Sequence, residues 1–185
     1  MDEQPVILDS NLMIAFHKNE RFDRYIKGKK VYYIKVIEDE LQDYYVEKIL
    51  GKPKFAETWA TEVLEKFGAT LLHSKNPKGI KPFKSLEEEV ASEIMAILRK
   101  ADVSAEQLAK ESSENDVLIA AYGITNEFEV MSNDKLFLPI KELLSHYTDF
   151  TVHGIPPMAK QTKYQLEKNL RNNGGRLPVV LTSLI

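Results

Sequence analysis

Apolar and polar positions follow one another along the chain in blocks whose period keeps changing. VILDS (6–10) is a short run of branched apolar residues and reads as a buried strand. Residues 11–26 place Leu12, Ile14, Phe16, Phe22 and Ile26 among polar neighbours, which predicts a helix. VYYIKV (31–36) fits either a strand or the entry to a helix. VIEDELQDYYVEKIL (36–50) sets Ile37, Leu41, Tyr44, Tyr45 and Ile49 at helical spacing and stops at Gly51. FAETWATEVLEKF (55–67) is a further helix ended by Gly68, and ATLLHS (69–74) a further strand. KNPKGIKPFK (75–84) breaks both patterns and reads as a loop.

The second half repeats the alternation. SLEEEVASEIMAILRK opens with Ser85 and Glu88 at the spacing of a reciprocal cap and continues with Leu86, Val90, Ile94, Ile97 and Leu98. A short helix from Ser104 follows, with Gln107 three residues on. Ser113 then caps a helix whose first turn holds Asp116. FEVMS (128–132) is a strand, KELLSHY (141–147) a helix and FTV (150–152) a strand. No internal repeat or low-complexity segment interrupts the pattern. Strands alternating with helices predict a three-layer α/β/α fold around a mainly parallel sheet. Residues 1–155 form that domain, and residues 156–185 are a C-terminal basic helix plus strand extension. Pro156–Pro157 opens the extension's helix and Gly174–Gly175 ends it.

Composition narrows the functional classes. A chain of 185 residues that is 43% hydrophobic can bury a core. It has no cysteine, which rules out a disulfide scaffold, a thiolate metal site and a cysteine nucleophile, and fits a reducing, cytoplasmic setting. The acidic start MDEQPVILDS has no basic segment leading into a long apolar stretch, so no signal peptide is read. No run approaches the roughly 18 apolar residues that span a bilayer.

The net charge of −3 averages over uneven blocks. Residues 24–35 hold Arg24, Lys27, Lys29, Lys30 and Lys35 with no acid. Residues 36–47 hold Glu38, Asp39, Glu40, Asp43 and Glu47 with no base. Residues 151–185 hold five Lys or Arg against Glu167 alone. Any one block suits a solvated surface; basic blocks around an acidic centre also suit a protein that grips a polyanion.

Ligands gather at the C-terminal ends of the strands in an open parallel sheet. Asp9 ends VILDS, Asp134 follows FEVMS, and Asp116 starts the helix before that strand. Three carboxylates therefore share one rim, and Glu40 joins them if its helix faces that way. Each acid also has an ordinary role open to it. Asp9 suits a helix cap, Asp116 a helix dipole, Asp134 an Asx-type turn, and Glu40 the surface. Taken together, acids that follow buried strands with no base beside Asp9 call for a divalent cation as counter-charge.

Four segments resemble the PIN-domain ribonucleases, the fold of many toxin ribonucleases of prokaryotic toxin–antitoxin pairs. VILDSNLMI resembles the family's first strand with its leading acid at Asp9. VIEDEL places the second acid on Glu40. ENDVLIAAYGI resembles the Asp-x-x-Ile-Ala-Ala helix and places the third on Asp116. VMSNDKLF places the fourth on Asp134, with Ser132 and Asn133 beside it. The last two acids stand 18 positions apart, as suits the family, while the 76 positions from Glu40 to Asp116 exceed its compact members.

The resemblance implies an endoribonuclease that hydrolyses RNA with Mg²⁺ or Mn²⁺, hard cations that prefer oxygen ligands. Asp9, Asp116 and Asp134 are then expected to bind metal, Glu40 to complete the charge, and Ser132 and Asn133 to support them. Expected partners are the RNA, an antitoxin or other protein, and a second copy of the chain. Lys160, Lys163, Lys168 and Arg171 share one face of the C-terminal helix with Tyr164, and are expected either to contact RNA phosphates or to be a solvated face.

The different-class alternative is a PIN-like module that binds RNA or protein without cleaving; the presence of all four acids argues against it. The four histidines show no HxH or HExxH spacing, and there is no GxxxxGK[ST] loop. The DSN sequence lacks the second Asp of the haloacid-dehalogenase phosphatases. Trp59, Tyr32, Tyr33, Tyr44 and Tyr45 are expected in or near the core rather than as base-stacking platforms.

Overall fold

The computed structural model describes residues 2–75, 85–100, 111–134, 137, 140–141, 152–154 and 160–175. Five strands make one parallel sheet in the order β3-β2-β1-β4-β5. They are β1 (Gln4–Leu8), β2 (Lys29–Tyr33), β3 (Thr70–Leu71), β4 (Glu129–Met131) and β5 (Val152–His153). Strand β1 lies in the middle, with Val6 beside both Val31 and Glu129, and Ile7 beside Tyr32 and Val130. Val6, Ile7 and Leu8 are wholly buried, which is why this strand reads as an unbroken apolar run. Pro5 is tolerated in a central strand because pairing with β4 begins one residue later, at Val6.

Six α-helices stand among the described residues. They are α1 (Ser10–Lys18), α2 (Lys35–Glu47), α3 (Ala56–Lys66), α4 (Leu86–Lys100), α5 (Glu111–Asn126) and α6 (Lys160–Asn172). Helices α1, α2 and α3 pack on one another, and α4 packs on α5. Crossovers between parallel strands are right-handed, and the chain moves outward from β1 to β3 and then returns past β1 to β4. That reversal puts the two helical groups on opposite faces. The expected three-layer α/β/α architecture is therefore the observed one.

Several boundaries move, each for a local reason. The first strand ends at Leu8 because Asp9 caps α1 and Ser10 begins it. Helix α1 ends at Lys18, where extended Asn19 turns its N–H to the carbonyls of Ala15 and Phe16, and a 3-10 helix (Glu20–Tyr25) completes the expected helical stretch. Ser113 does not cap its helix. The helix already runs from Glu111, which places Asp116 in the second turn. The Ser85–Glu88 cap forms as expected: Ser85 N–H donates to Glu88 Oε2 at 2.9 Å, and Glu88 N–H to Ser85 Oγ at 3.2 Å.

Helix α2 stops at Glu47, earlier than its pattern suggests, and the left-handed residue is Leu50 (φ 60°) rather than Gly51. Gly51 serves a steric need instead, since a Cβ there would lie 2.1 Å from the Tyr45 ring. Residues 76–84, the short helix from Ser104, most of 141–147, Pro156–Pro157 and the expected final strand RLPVVLTSLI lie outside the described residues.

A cluster of aromatic residues around Trp59 pins the C-terminal helix. Trp59 is buried and stacks on Tyr45 and Tyr44, with His17 edge-on at 5.5 Å. Helix α6 buries Leu170 completely and ends in a left-handed turn at Gly174 and Gly175. Gly175 N–H donates to Leu170 C=O at 2.8 Å. Its own carbonyl accepts from Trp59 Nε1 at 2.9 Å and lies 2.8 Å from His17 Nε2.

Gly175→Ala is expected to destabilise the chain by about 2 kcal/mol or more, because the added Cβ falls 2.4 Å from Trp59 Nε1 at a φ of 87°. Gly174→Ala meets no atom within 4 Å and carries only the backbone strain of its φ of 63°, about 1 kcal/mol. Urea unfolding followed by the fluorescence of Trp59, the one tryptophan, measures both. Equal losses in the two variants would show that the Trp59 contact contributes nothing.

Candidate active site

From β1 the chain runs outward toward β3, and from β4 outward the other way toward β5, so a crevice opens between the C-terminal ends of β1 and β4. Asp9 follows β1 directly. Its backbone N–H donates to Met131 C=O at 3.0 Å, so the ladder continues to the last residue before the crevice. Ser132, Asn133 and Asp134 follow β4 on the other lip.

Asp9 is buried and every polar contact it makes is to a neutral group. Oδ1 accepts from Ser10 N–H at 2.7 Å, as a helix cap does. Oδ2 accepts from Ser132 Oγ at 2.5 Å and from Asn11 Nδ2 at 3.0 Å. Ser132 Oγ in turn accepts from Asp134 N–H at 3.0 Å, so one hydroxyl ties both lips to Asp9. Glu40 reaches the same rim from the second turn of α2. Ser10 Oγ donates to its Oε2, and Asn115 Nδ2 to its Oε1 at 2.9 Å. Glu38 and Asp39, its neighbours, turn away and pair with Lys35. Asp116 is buried on α5 beside Asp134, which is itself exposed at the mouth.

These contacts bring Asp9, Glu40, Asp116 and Asp134 to one place, with Ser132 beside them. Asn133 is exposed, and its N–H donates to Asn11 Oδ1 at 3.3 Å. The basic residues of α6 behave differently. The side chains of Lys160 and Lys163 lie outside the described residues. Lys168 is exposed, and Arg171 Nε donates to Lys48 C=O at 2.5 Å, just past the end of α2. Lys48 lies eight residues beyond Glu40, about 12 Å along the helix and away from the acids.

No protein-family model matches the chain, and no curated protein matches it in sequence. Solved structures do match. VapBC-1 from nontypeable Haemophilus influenzae aligns with a TM-score of 0.53 at 14% identity, over 82% of this chain and 98% of that one. VapBC2 from Rickettsia felis, bound to a DNA fragment from their promoter, aligns with a TM-score of 0.51 at 14% identity, over 82% and 98%. FitAcB from Neisseria gonorrhoeae aligns with a TM-score of 0.50 at 18% identity, over 80% and 96%. The chain has the PIN-domain fold.

No Lys or Arg among the described residues pairs with Asp9, Glu40 or Asp116. Burial, above all, raises the Asp9 carboxyl to about 7, helped by the charges of Glu40 and Asp134 and opposed by the bonds from Ser132 and Ser10. Asp116 is raised to about 9, first by burial, then by the charges of Asp9, Asp134 and Glu40, and last by its bond with Asp134.

Hard oxygen donors carrying surplus negative charge fit a divalent cation. Among the described residues no three acidic or imidazole side chains already surround one point closely enough to hold an ion by themselves.

Three contributors to the crevice of this PIN fold escape a reading of the sequence. Ser10 bridges Asp9 and Glu40, Asn11 links Asp9 to Ser132 and Asn133, and Asn115 holds Glu40. Ser10 and Asn11 stand next to Asp9 and carry a signal as a small polar pair. Asn115 shows none, because its partner is 75 positions away.

The raised carboxyls give a pH dependence of definite sign. Both groups hold a proton more tightly when folded than at the ordinary value of 3.8, so their protonation stabilises the fold. That stability is full below about pH 4 and is lost as pH rises through 7 and then 9. In chelator the melting temperature is therefore expected to fall between pH 5 and pH 8. Asp116→Asn removes much of that fall and raises the pH 8 melting point by a few degrees, the scale of about 1 kcal/mol in a chain of this size. A melting point that instead climbs toward pH 8, in native chain and variant alike, would contradict the charge crowding.

Proposed function

We propose that this chain is a metal-dependent endoribonuclease that hydrolyses RNA phosphodiester bonds in the crevice between β1 and β4. One observation carries the reading: Asp9, Glu40, Asp116 and Asp134, far apart in sequence, meet at the switch point of a PIN fold. The segments that resemble PIN-domain ribonucleases supply those same four acids.

Asp9 and Asp116 would hold Mg²⁺ or Mn²⁺, with Asp134 at the mouth contributing through water. Such an ion, when bound, acidifies a coordinated water toward neutral pH and neutralises charge on the phosphate. The chain's own residues prepare the place. Ser132 and Asn11 fix Asp9 Oδ2, so this carboxylate cannot rotate away from its neighbours. Glu40 adds negative charge from the side and orients water. The peptide N–H of Asp134, bonded to Ser132, sets the height of the loop over the crevice. No helix among the described residues is long and apolar enough to cross a membrane. An antitoxin-type protein partner, a second copy of the chain and a cytoplasmic setting belong to the same proposal.

Cleavage of a labelled single-stranded RNA with Mg²⁺ or Mn²⁺ tests it. Asp9→Asn and Asp116→Asn are each expected to lower the rate by orders of magnitude, and excess EDTA to abolish it. Ser132→Ala keeps all four acids but frees Asp9 Oδ2, so a loss of about 10- to 100-fold is expected. Full cleavage by both Asn variants, or undiminished cleavage in EDTA, would end the proposal.

A further inference from the structure

Glu40 is held by two neutral donors that come from different helices. Ser10, the first residue of α1, donates its hydroxyl to Oε2, and Asn115 of α5 donates its amide to Oε1 at 2.9 Å. A carboxylate only accepts, so the amide nitrogen of Asn115 is the atom that must face it. Helices α2 and α5 belong to opposite layers, and this bond joins them across the rim over 75 positions of sequence. Ser10 meanwhile faces Asp9 Oδ1 with its N–H at 2.7 Å and its hydroxyl at 3.4 Å.

Neutral donors aim a carboxylate without cancelling its charge. A Lys or Arg in either place would hold Glu40 as firmly and remove one negative charge from the crevice. The arrangement also works against repulsion. Glu40 is half-buried, and Asp9 and Asp116 push its carboxylate toward solvent. A side chain with three rotatable bonds has somewhere to go unless both oxygens are tied. Ser10 alone ties only Oε2.

We infer that Asn115 is a positioning residue for the acid site: it holds Glu40 inward against Ser10 and Asp9, and so keeps the fourth carboxyl group in place for a cation. The inference rests on the proposal that the crevice takes a divalent cation.

Mn²⁺ affinity of the full chain, measured by calorimetry, and steady-state RNA cleavage test it. Asn115→Ala is expected to weaken Mn²⁺ by about 10-fold or more. Its kcat should fall while KM for RNA stays, because Asn115 acts through Glu40 rather than on RNA. The melting point of the metal-free variant should hold or rise as Glu40 swings outward. Asn115→Asp is the sharper variant. It keeps the shape, loses the donor and adds a negative charge, so positioning predicts weaker Mn²⁺ binding where charge alone predicts tighter. Asn115→Gln keeps an amide donor and should recover part of the affinity.

Mn²⁺ affinity within about twofold of native for Asn115→Ala, or tighter binding by Asn115→Asp, would overturn the inference. The nuclease proposal fails in another way, through a native chain that neither binds Mn²⁺ nor cleaves RNA. In that case the contact is judged in a double-mutant unfolding cycle of Asn115→Ala with Glu40→Ala, where additive effects overturn it.

Discussion

The structure turns on the burial of Asp9. Strand β1 is flanked on both sides, and the ladder with β4 runs on until the Asp9 N–H meets Met131 C=O. A carboxylate at the end of such a strand leaves water almost entirely, being only 2% exposed. Desolvation of that kind costs several kcal/mol unless hydrogen bonds replace the lost water. The neighbourhood supplies them from Ser10, Asn11 and Ser132. Those three donors belong to both lips of the crevice. Satisfying one buried acid therefore also sets the distance between α1 and the loop after β4.

The bonds to Asp9 lower its affinity for a proton, while burial and the neighbouring acids raise it more. Asp116 has no comparable set of donors and is raised further. A core selected for stability alone would place cations or apolar groups at such a spot. The protein does place a buried ion pair elsewhere. Lys29 bonds to Glu129 at 3.0 Å, where β2 and β4 begin, at the opposite end of the sheet. Charge is thus compensated at one rim, while at the other Asp9, Glu40 and Asp116 have no Lys or Arg partner among the described residues. That asymmetry is the physical case for a cation and a polyanion at the acidic rim.

The C-terminal helix packs on the domain through its last turn. Its last turn presses Gly175 onto Trp59 and His17, and its Leu170 is sealed from solvent. His17 lies in the last turn of the helix that Asp9 caps, so the extension braces α1 from the far side. Arg171 is committed to the carbonyl of Lys48.

The amino-acid order alone determined a good deal. The apolar run at 6–8, the strand pattern FEVMS at 128–132, helical spacing in 36–50 and 55–67, and the Ser85–Glu88 cap are local properties, and each forms near where its pattern lies. Local periodicity reports which face of an element must be buried, and alternating strands and helices leave few topologies. The acids Asp9, Glu40, Asp116 and Asp134 were legible because each sits at an element's end or on a recognisable helix. The ends of α1 and α2, the start of α5 and the place of Asn115 were decided only in three dimensions. Helix ends depend on which carbonyls and side chains stand nearby, as Asn19 and Tyr45 show. The pairing of Glu40 with Asn115 depends on two helices from opposite layers meeting over one rim, and no local pattern encodes a contact whose partners are separated by most of a domain.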